Sequence, residues 1–160
     1  MQISVRIKYW FFDHYWWLLC GAMGFALAIL LVLKEPLPTI ATALGALLSL
    51  AYFLQKQKLD ELRLFREIFK ECNARYDELN EDLARIASSS NPELTTDDRQ
   101  ILIDYFNLCG EEYLYFRRGY IDPSVWRAWH NGMQSLVLLP SINTLWKSEK
   151  ATGSYYDLDL

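Results

Sequence analysis

Tyr15–Leu33, YWWLLCGAMGFALAILLVL, and Pro36–Leu54, PLPTIATALGALLSLAYFL, are two apolar runs of 19 residues each, free of charged side chains and separated only by Lys34-Glu35. A helix rises about 1.5 Å per residue, so either run covers about 28 Å, close to the hydrocarbon thickness of a bilayer. The core of a 160-residue soluble protein rarely needs two such runs in tandem. The expected fold class is therefore all-α, an N-terminal two-helix transmembrane hairpin followed by a cytoplasmic helical bundle with a long membrane-proximal helix. Residues 1–55 are expected to form an N-terminal arm and the hairpin, with spans at about 15–33 and 36–54. Residues 56–150 would then be the cytoplasmic helical domain and 151–160 a flexible acidic tail.

Charge and aromatic placement set the expected topology. Arg6 and Lys8 precede the first run, and Lys56, Lys58, Arg63, Arg66 and Lys70 follow the second, whereas the turn holds one Lys offset by Glu35. The positive-inside rule places both termini in the cytoplasm and the short turn outside. Tyr9, Trp10, Phe11, Phe12, Tyr15, Trp16 and Trp17 gather at the inner end of the first span, and Tyr52 and Phe53 at that of the second. Amphipathic rings favour the headgroup level. Pro36 and Pro38 suit a tight reversal. A signal peptide is the rival reading, but its apolar core is usually about 7–15 residues with a small-residue cleavage site beyond it. Here Ala26-Leu27-Ala28 lies inside the run and a second span follows at once. Three cysteines, Cys20, Cys72 and Cys109, with no CxxC spacing argue against a disulfide framework or a zinc site.

Small residues recur four apart, Cys20, Gly24 and Ala28 on the first span and Ala41, Gly45 and Ser49 on the second. Such faces let helix backbones approach closely in lipid. They either close the hairpin, or one closes it while the other joins a neighbouring copy. Neither span interior holds an ionisable group, which disfavours a proton relay or ion-coordinating site.

Beyond the spans, Leu62, Phe65, Phe69, Cys72, Tyr76, Leu79, Leu83 and Ile86 alternate spacings of three and four, a heptad pattern continuous with the second span. Residues 56–70 carry five Lys/Arg against three Asp/Glu, and residues 71–98 two against eight, so the basic end belongs beside anionic headgroups. The stripe serves either an intramolecular bundle or a parallel coiled coil between copies; Phe69 and Tyr76 are bulky for a two-stranded zipper. Ser88-Ser89-Ser90-Asn91-Pro92 reads as a turn. Thr95 or Thr96 offers an N-cap to a helix running to about Arg118, with Gly119 at the left-handed position beyond. Its apolar side holds Leu102, Tyr105, Cys109 and Phe116, and Glu112 falls on the same stripe. A carboxylate there is expected to be a structural one, paired with Arg127 or a tyrosine hydroxyl, because an unpaired buried charge costs several kcal/mol.

Asp122-Pro123 is an N-cap with proline at the first helical position. Trp126 and Trp129 on that helix, with Trp146 on the last amphipathic piece after Pro140, serve as core or as a candidate partner surface. Ile3, Val5, Ile7 and Tyr9 alternate in a brief strand-like pattern. The only histidines are His14 and His130, and no HExxH, GxxxxGKS, GxSxG, GxGxxG or Cys-His constellation occurs, so no enzyme, no metal and no cofactor is expected. The cytoplasmic part carries 13 Lys/Arg against 18 Asp/Glu, a net charge of −5, which disfavours nucleic-acid binding.

The stretch Asp104-Tyr105-Phe106-Asn107-Leu108-Cys109-Gly110-Glu111-Glu112-Tyr113, continuing through Arg118-Gly119-Tyr120-Ile121-Asp122 to Val125-Trp126, Trp129 and Gly132-Met133, resembles a family of small bacterial two-span membrane proteins with a helical cytoplasmic domain. These are similar to retron-associated transmembrane anti-phage effectors. The resemblance covers about residues 60–146 and brings no catalytic residue. It implies a membrane effector in bacterial defence, acting by membrane perturbation on release or assembly. The alternative is a non-toxic anchor or scaffold that recruits a soluble cytoplasmic partner. The expected partners are the lipid bilayer and either further copies of the chain or a soluble regulatory protein.

Overall fold

The computed structural model describes residues 3–89 and 93–160. Five helices account for the secondary structure: α1 Ile3–Val32, α2 Leu37–Ser88, α3 Thr96–Arg117, α4 Pro123–Val137 and α5 Pro140–Lys150. Among the described residues there is no strand. The alternation Ile3, Val5, Ile7, Tyr9 is the opening of α1 instead, because a lone strand would leave its backbone groups unpaired while a helix satisfies them internally. Of the expected turn at Ser88–Pro92, the Ser88 hydroxyl donates to the Ala84 carbonyl (2.8 Å) at the end of α2; Ser90, Asn91 and Pro92 lie outside the described residues.

The chain divides into two compact units, Met1–Arg63 and Leu64–Leu160, with α2 contributing to both. The division falls within α2, not at residue 55.

In the first unit, Val5–Val32 and the start of α2 are long and apolar enough to cross a membrane. A core helix of a soluble protein would be mostly buried; in the most apolar windows here only 6% of residues on α1 and none on α2 are. Trp17, Phe25, Val32 and Leu37 are almost fully exposed. Lys8 ion-pairs with Glu61 at 3.0 Å, and Lys58 donates to the Phe12 carbonyl (3.2 Å) with its ammonium 5.3 Å from the Tyr15 ring centre. At the other end, Lys34 adopts a left-handed φ of 55°, and the Glu35 amide donates to the Leu30 carbonyl (3.1 Å) to close α1. That conformation costs a non-glycine residue about 1–2 kcal/mol.

The half-buried residues of the two apolar runs are Leu19, Met23, Ala26, Leu27 and Leu30 on α1 and Ile40, Ala43, Leu44, Leu47, Ala51 and Leu54 on α2. Cys20, Gly24 and Ala28 are exposed, as are Ala41, Gly45 and Ser49, and a methyl group added at Gly24 or Gly45 would meet nothing within 4 Å. Close backbone approach through Gly24 and Gly45 therefore does not close α1 on α2; leucines and alanines of other registers hold the shielded positions.

The second unit is built around Leu102, Phe106, Leu108, Ile142 and Trp146, all but inaccessible to solvent. Helices α3, α4 and α5 pack on one another. Local signals fix where they start and stop. Thr95 and Asp98 form a reciprocal capping box, the Thr95 hydroxyl accepting from the Asp98 amide (3.1 Å) while Asp98 accepts from the Thr95 amide (3.1 Å). Gly119, at φ 76°, ends the turn after α3. Asp122 caps α4 ahead of Pro123, accepting from the Ser124 amide (2.7 Å).

Residues 151–160 are no flexible tail. Tyr155 and Leu158 are buried, with the Tyr155 ring edge-on to Phe106 and tilted against Trp146. Arg117 donates to the Tyr156 carbonyl (2.8 Å), Lys150 pairs with Asp159, and His130 Nε2 donates to the Asp159 carbonyl (2.9 Å). Burial of Tyr155 and Leu158 contributes about 1.5–3 kcal/mol each, which together with these polar contacts opposes the entropy of the free segment.

Candidate functional site

A cleft of about 510 Å³ opens in the second unit between the C-terminal half of α2 and α4, with α3 along its floor. Tyr76 and Leu83 of α2, Tyr105 and Leu108 of α3, and Trp129 and Met133 of α4 form much of its wall. Its polar groups are the amides of Asn73 and Asn80, the Ser135 hydroxyl, the polar atoms of Tyr76, Tyr105 and Trp129, and one carboxyl group, that of Glu112.

Glu112 is 6% exposed, and no group among the described residues hydrogen-bonds or ion-pairs with its carboxyl. The expected partner, Arg127, is exposed on α4 and exerts its charge on Asp122 instead. The helical register explains the miss. Asp122 caps the helix on which Arg127 occupies the second turn, so the two ends meet locally. The nearest guanidinium to act on Glu112 is Arg75, but Arg75 is committed to Glu111 through two contacts, at 2.5 and 3.3 Å. Burial pushes the Glu112 carboxyl up to about 8, with Arg75 opposing and Glu111 reinforcing the rise. Around it, burial also drives the Cys72 thiol up to about 12 and raises Cys109 and Tyr105 strongly, so these groups stay protonated at neutral pH.

The heptad stripe splits between core and surface. Cys72, Leu83 and Ile86 are buried against α3–α5 residues and Leu79 packs beside them, whereas Phe69 and Tyr76 remain 38% and 39% exposed and Leu62 is 62% exposed. Phe65 is half-buried against Phe69. Ile68, outside the stripe, is buried. The core-facing line thus runs Ile68, Cys72, Leu79, Leu83, Ile86: four of these belong to the expected stripe, Ile68 takes the place of Phe69, and the Phe69 and Tyr76 rings lie beside Trp129 and Tyr105.

The three tryptophans do not share a surface. Trp126 is buried and stacks on Phe116 with ring centres 5.0 Å apart; Trp146 is buried edge-on to Phe106, its Nε1–H without a partner. Only Trp129 reaches the cleft, where it stacks on Phe69. Among the described residues no three His, Cys, Asp or Glu side chains converge as metal ligands. The free cysteines are scattered, Cys72 and Cys109 buried and Cys20 exposed. Compared with protein-family models, with curated proteins and with solved structures, the chain matches none.

Sequence reasoning singled out Glu112 but missed the cleft, since Glu112, Leu83 and Met133 come from three helices whose juxtaposition no local spacing encodes.

Proposed function

We propose that the protein is a membrane-anchored binding module: a two-span hairpin in the bacterial inner membrane, both termini cytoplasmic, holds the second unit at the cytoplasmic face, where it receives its ligand without catalysing a reaction. The observation that carries this reading is the pairing of two uncharged apolar runs in the first unit, scarcely a residue of which is buried, with a separate unit that has its own core and a largely apolar cleft. Exposing Trp17, Phe25, Leu33 and Leu37 to water would be costly, at about 25 cal/mol per Å² of apolar surface, and lipid removes that cost. The surfeit of Lys and Arg around the inner ends supports the orientation. The test is a pair of reporter fusions after Leu160, one active only in the cytoplasm and one only outside it, together with carbonate extraction. Cytoplasmic activity in a carbonate-resistant fraction is expected; activity outside, or release by carbonate, overturns the reading.

The second reading, the membrane-perturbing anti-phage effector that the resemblance implies, is favoured by one observation. Both small-residue faces of the spans are left outward, available to other copies. Against it, the spans offer no ionisable lining for a water-filled path. Expression without any regulator separates the two: depolarisation followed by a dye such as a carbocyanine supports the effector, and unaltered growth and potential support the anchor.

A further inference from the structure

A buried carboxyl group needs a reason to be there. Glu112 lies on an otherwise apolar helical stripe, where leucine or methionine would pack without the desolvation a carboxylate incurs. It has no partner among the described residues, and it lines a cleft whose size falls in the range of small-molecule sites, about 300–1,000 Å³. The surrounding charge is one-sided. Residues 71–98 carry eight acidic against two basic side chains, and both basic ones are occupied, Arg75 by Glu111 and Arg85 by Asp98 (2.9 Å) and Asp82 (3.0 Å). The groups that face Glu112 are Arg75 and Cys72 of α2 and Tyr105, Cys109 and Glu111 of α3; the α4 wall, Ala128 to Leu136, presents no charged residue to the cleft. Among the described residues no cation pairs with the Glu112 carboxyl, and the acidic local field favours one arriving from outside. Tyr76, Tyr105 and Trp129 add aromatic faces, which attract cations within about 6 Å of a ring centre.

We propose that the cleft between α2 and α4 is a binding site for a small organic cation, an amine carried on an apolar body, with its ammonium against the Glu112 carboxylate and its body along Leu83, Leu108, Met133 and Leu136. This deepens the binding-module reading by naming the ligand class, and it does not depend on the bilayer orientation. At neutral pH the empty site holds a protonated Glu112, so seating a cation expels that proton to solvent: the carboxylic O–H is broken, the carboxylate accepts the ammonium N–H, and one proton is released per ligand bound.

The experiment is calorimetric titration of the full chain in lipid nanodiscs with phenethylamine, beside neutral 3-phenylpropanol and anionic 3-phenylpropionate, at pH 7 in two buffers of different ionisation enthalpy. Saturable binding of the amine with net proton release is expected, with the alcohol weaker by about tenfold and the carboxylate inert. Glu112→Gln, close to isosteric with the protonated acid, should weaken the amine by about tenfold or more and abolish proton release. A second variant keeps the test decisive if that one misfolds. A Cβ at Gly132 would meet nothing within 4 Å, so Gly132→Leu extends into the cleft and should block binding with Glu112 intact. The proposal is overturned if amine and alcohol bind alike, if Glu112→Gln binds the amine as tightly as the parent, or if none of the probes binds. In that last case, saturable binding of a lysine-bearing amphipathic peptide would reassign the cleft to a protein partner. Stable incorporation into nanodiscs is scored separately, so failure of the anchor is distinguishable from failure of the site.

Discussion

Replacing Glu112 with glutamine should remove a pH dependence of stability, leaving the variant close to the parent at pH 5 and more stable than it from neutral pH upward. The folded chain holds the Glu112 carboxyl at about 8, against 4.5 for an exposed one. Between those values the folded state keeps a proton that the unfolded state has lost, so stability is fully present below 4.5 and declines as pH rises toward 8. At about 1.4 kcal/mol per pH unit the whole interval is worth about 5 kcal/mol. The cleft admits water, which shields the ionised form, so a loss of about 2–5 kcal/mol is expected. For a unit of this size each kcal/mol shifts the midpoint by about 4–8 °C, so the parent should melt at least about 10 °C lower at pH 9 than at pH 5 on this account. The variant lacks the ionisation. Its melting temperature should match the parent's at pH 5 and exceed it at pH 9, read by near-ultraviolet circular dichroism of the detergent-solubilised chain from pH 5 to 9. Parallel profiles for parent and variant would refute the reasoning, because they would mean that Glu112 is ionised throughout and satisfied.

Leu158→Ala should cost about 2–5 kcal/mol in the same melts, because the side chain is 1% exposed and its removal leaves a cavity; a change below about 0.5 kcal/mol would restore the tail to solvent. Gly24→Leu and Gly45→Leu should leave melting unchanged, with open space around each position, yet reduce crosslinked oligomers in membranes if copies meet through these faces. Unaltered crosslinking in both would place any self-association elsewhere. Cys72 and Cys109 should resist maleimide at pH 8 until the chain unfolds, since burial holds both thiols protonated, and rapid labelling of either in the folded state would contradict the packing.

What the sequence made legible were the features encoded within a turn or two. Thr95 with Asp98, Asp122 with Pro123, and Gly119 are short-range hydrogen-bonding and φ signals, and each sits where its spacing placed it. The apolar runs were equally plain. Longer-range outcomes were not. The Arg75–Glu111 pair joins residues 36 apart, and it commits the guanidinium that acts on Glu112, whereas the expected partner, Arg127, is exposed on α4. Tyr155 and Leu158 looked mobile because acidic and glycine neighbours flank them, whereas the pocket they fill is made by Phe106 and Trp146. On α2, three-and-four spacing found most of the core-facing line, Cys72, Leu79, Leu83 and Ile86. It chose Phe69 where Ile68 is the buried residue, because a large ring at the edge of an interface can reach across it while a compact isoleucine takes the centre.

The left-handed Lys34 has a bearing on the choice of membrane. Between Tyr15 and Leu33 no charged group fixes the depth of the hairpin, so depth is set by what sits at its two ends. At one end Lys58 is tethered to the Phe12 carbonyl and the Tyr15 ring; at the other the chain accepts a strained backbone to place a lysine where glycine would be easier. A glycine turn could sink into hydrocarbon, and a charged one resists it. If the two runs span a bilayer as proposed, with both ends pinned about 28 Å apart, the hairpin would act as a gauge of bilayer thickness. It must tilt in a thinner membrane and thin a thicker one around itself, at a cost of fractions of a kcal/mol per ångström, which is enough to bias where in a mixed membrane the protein resides.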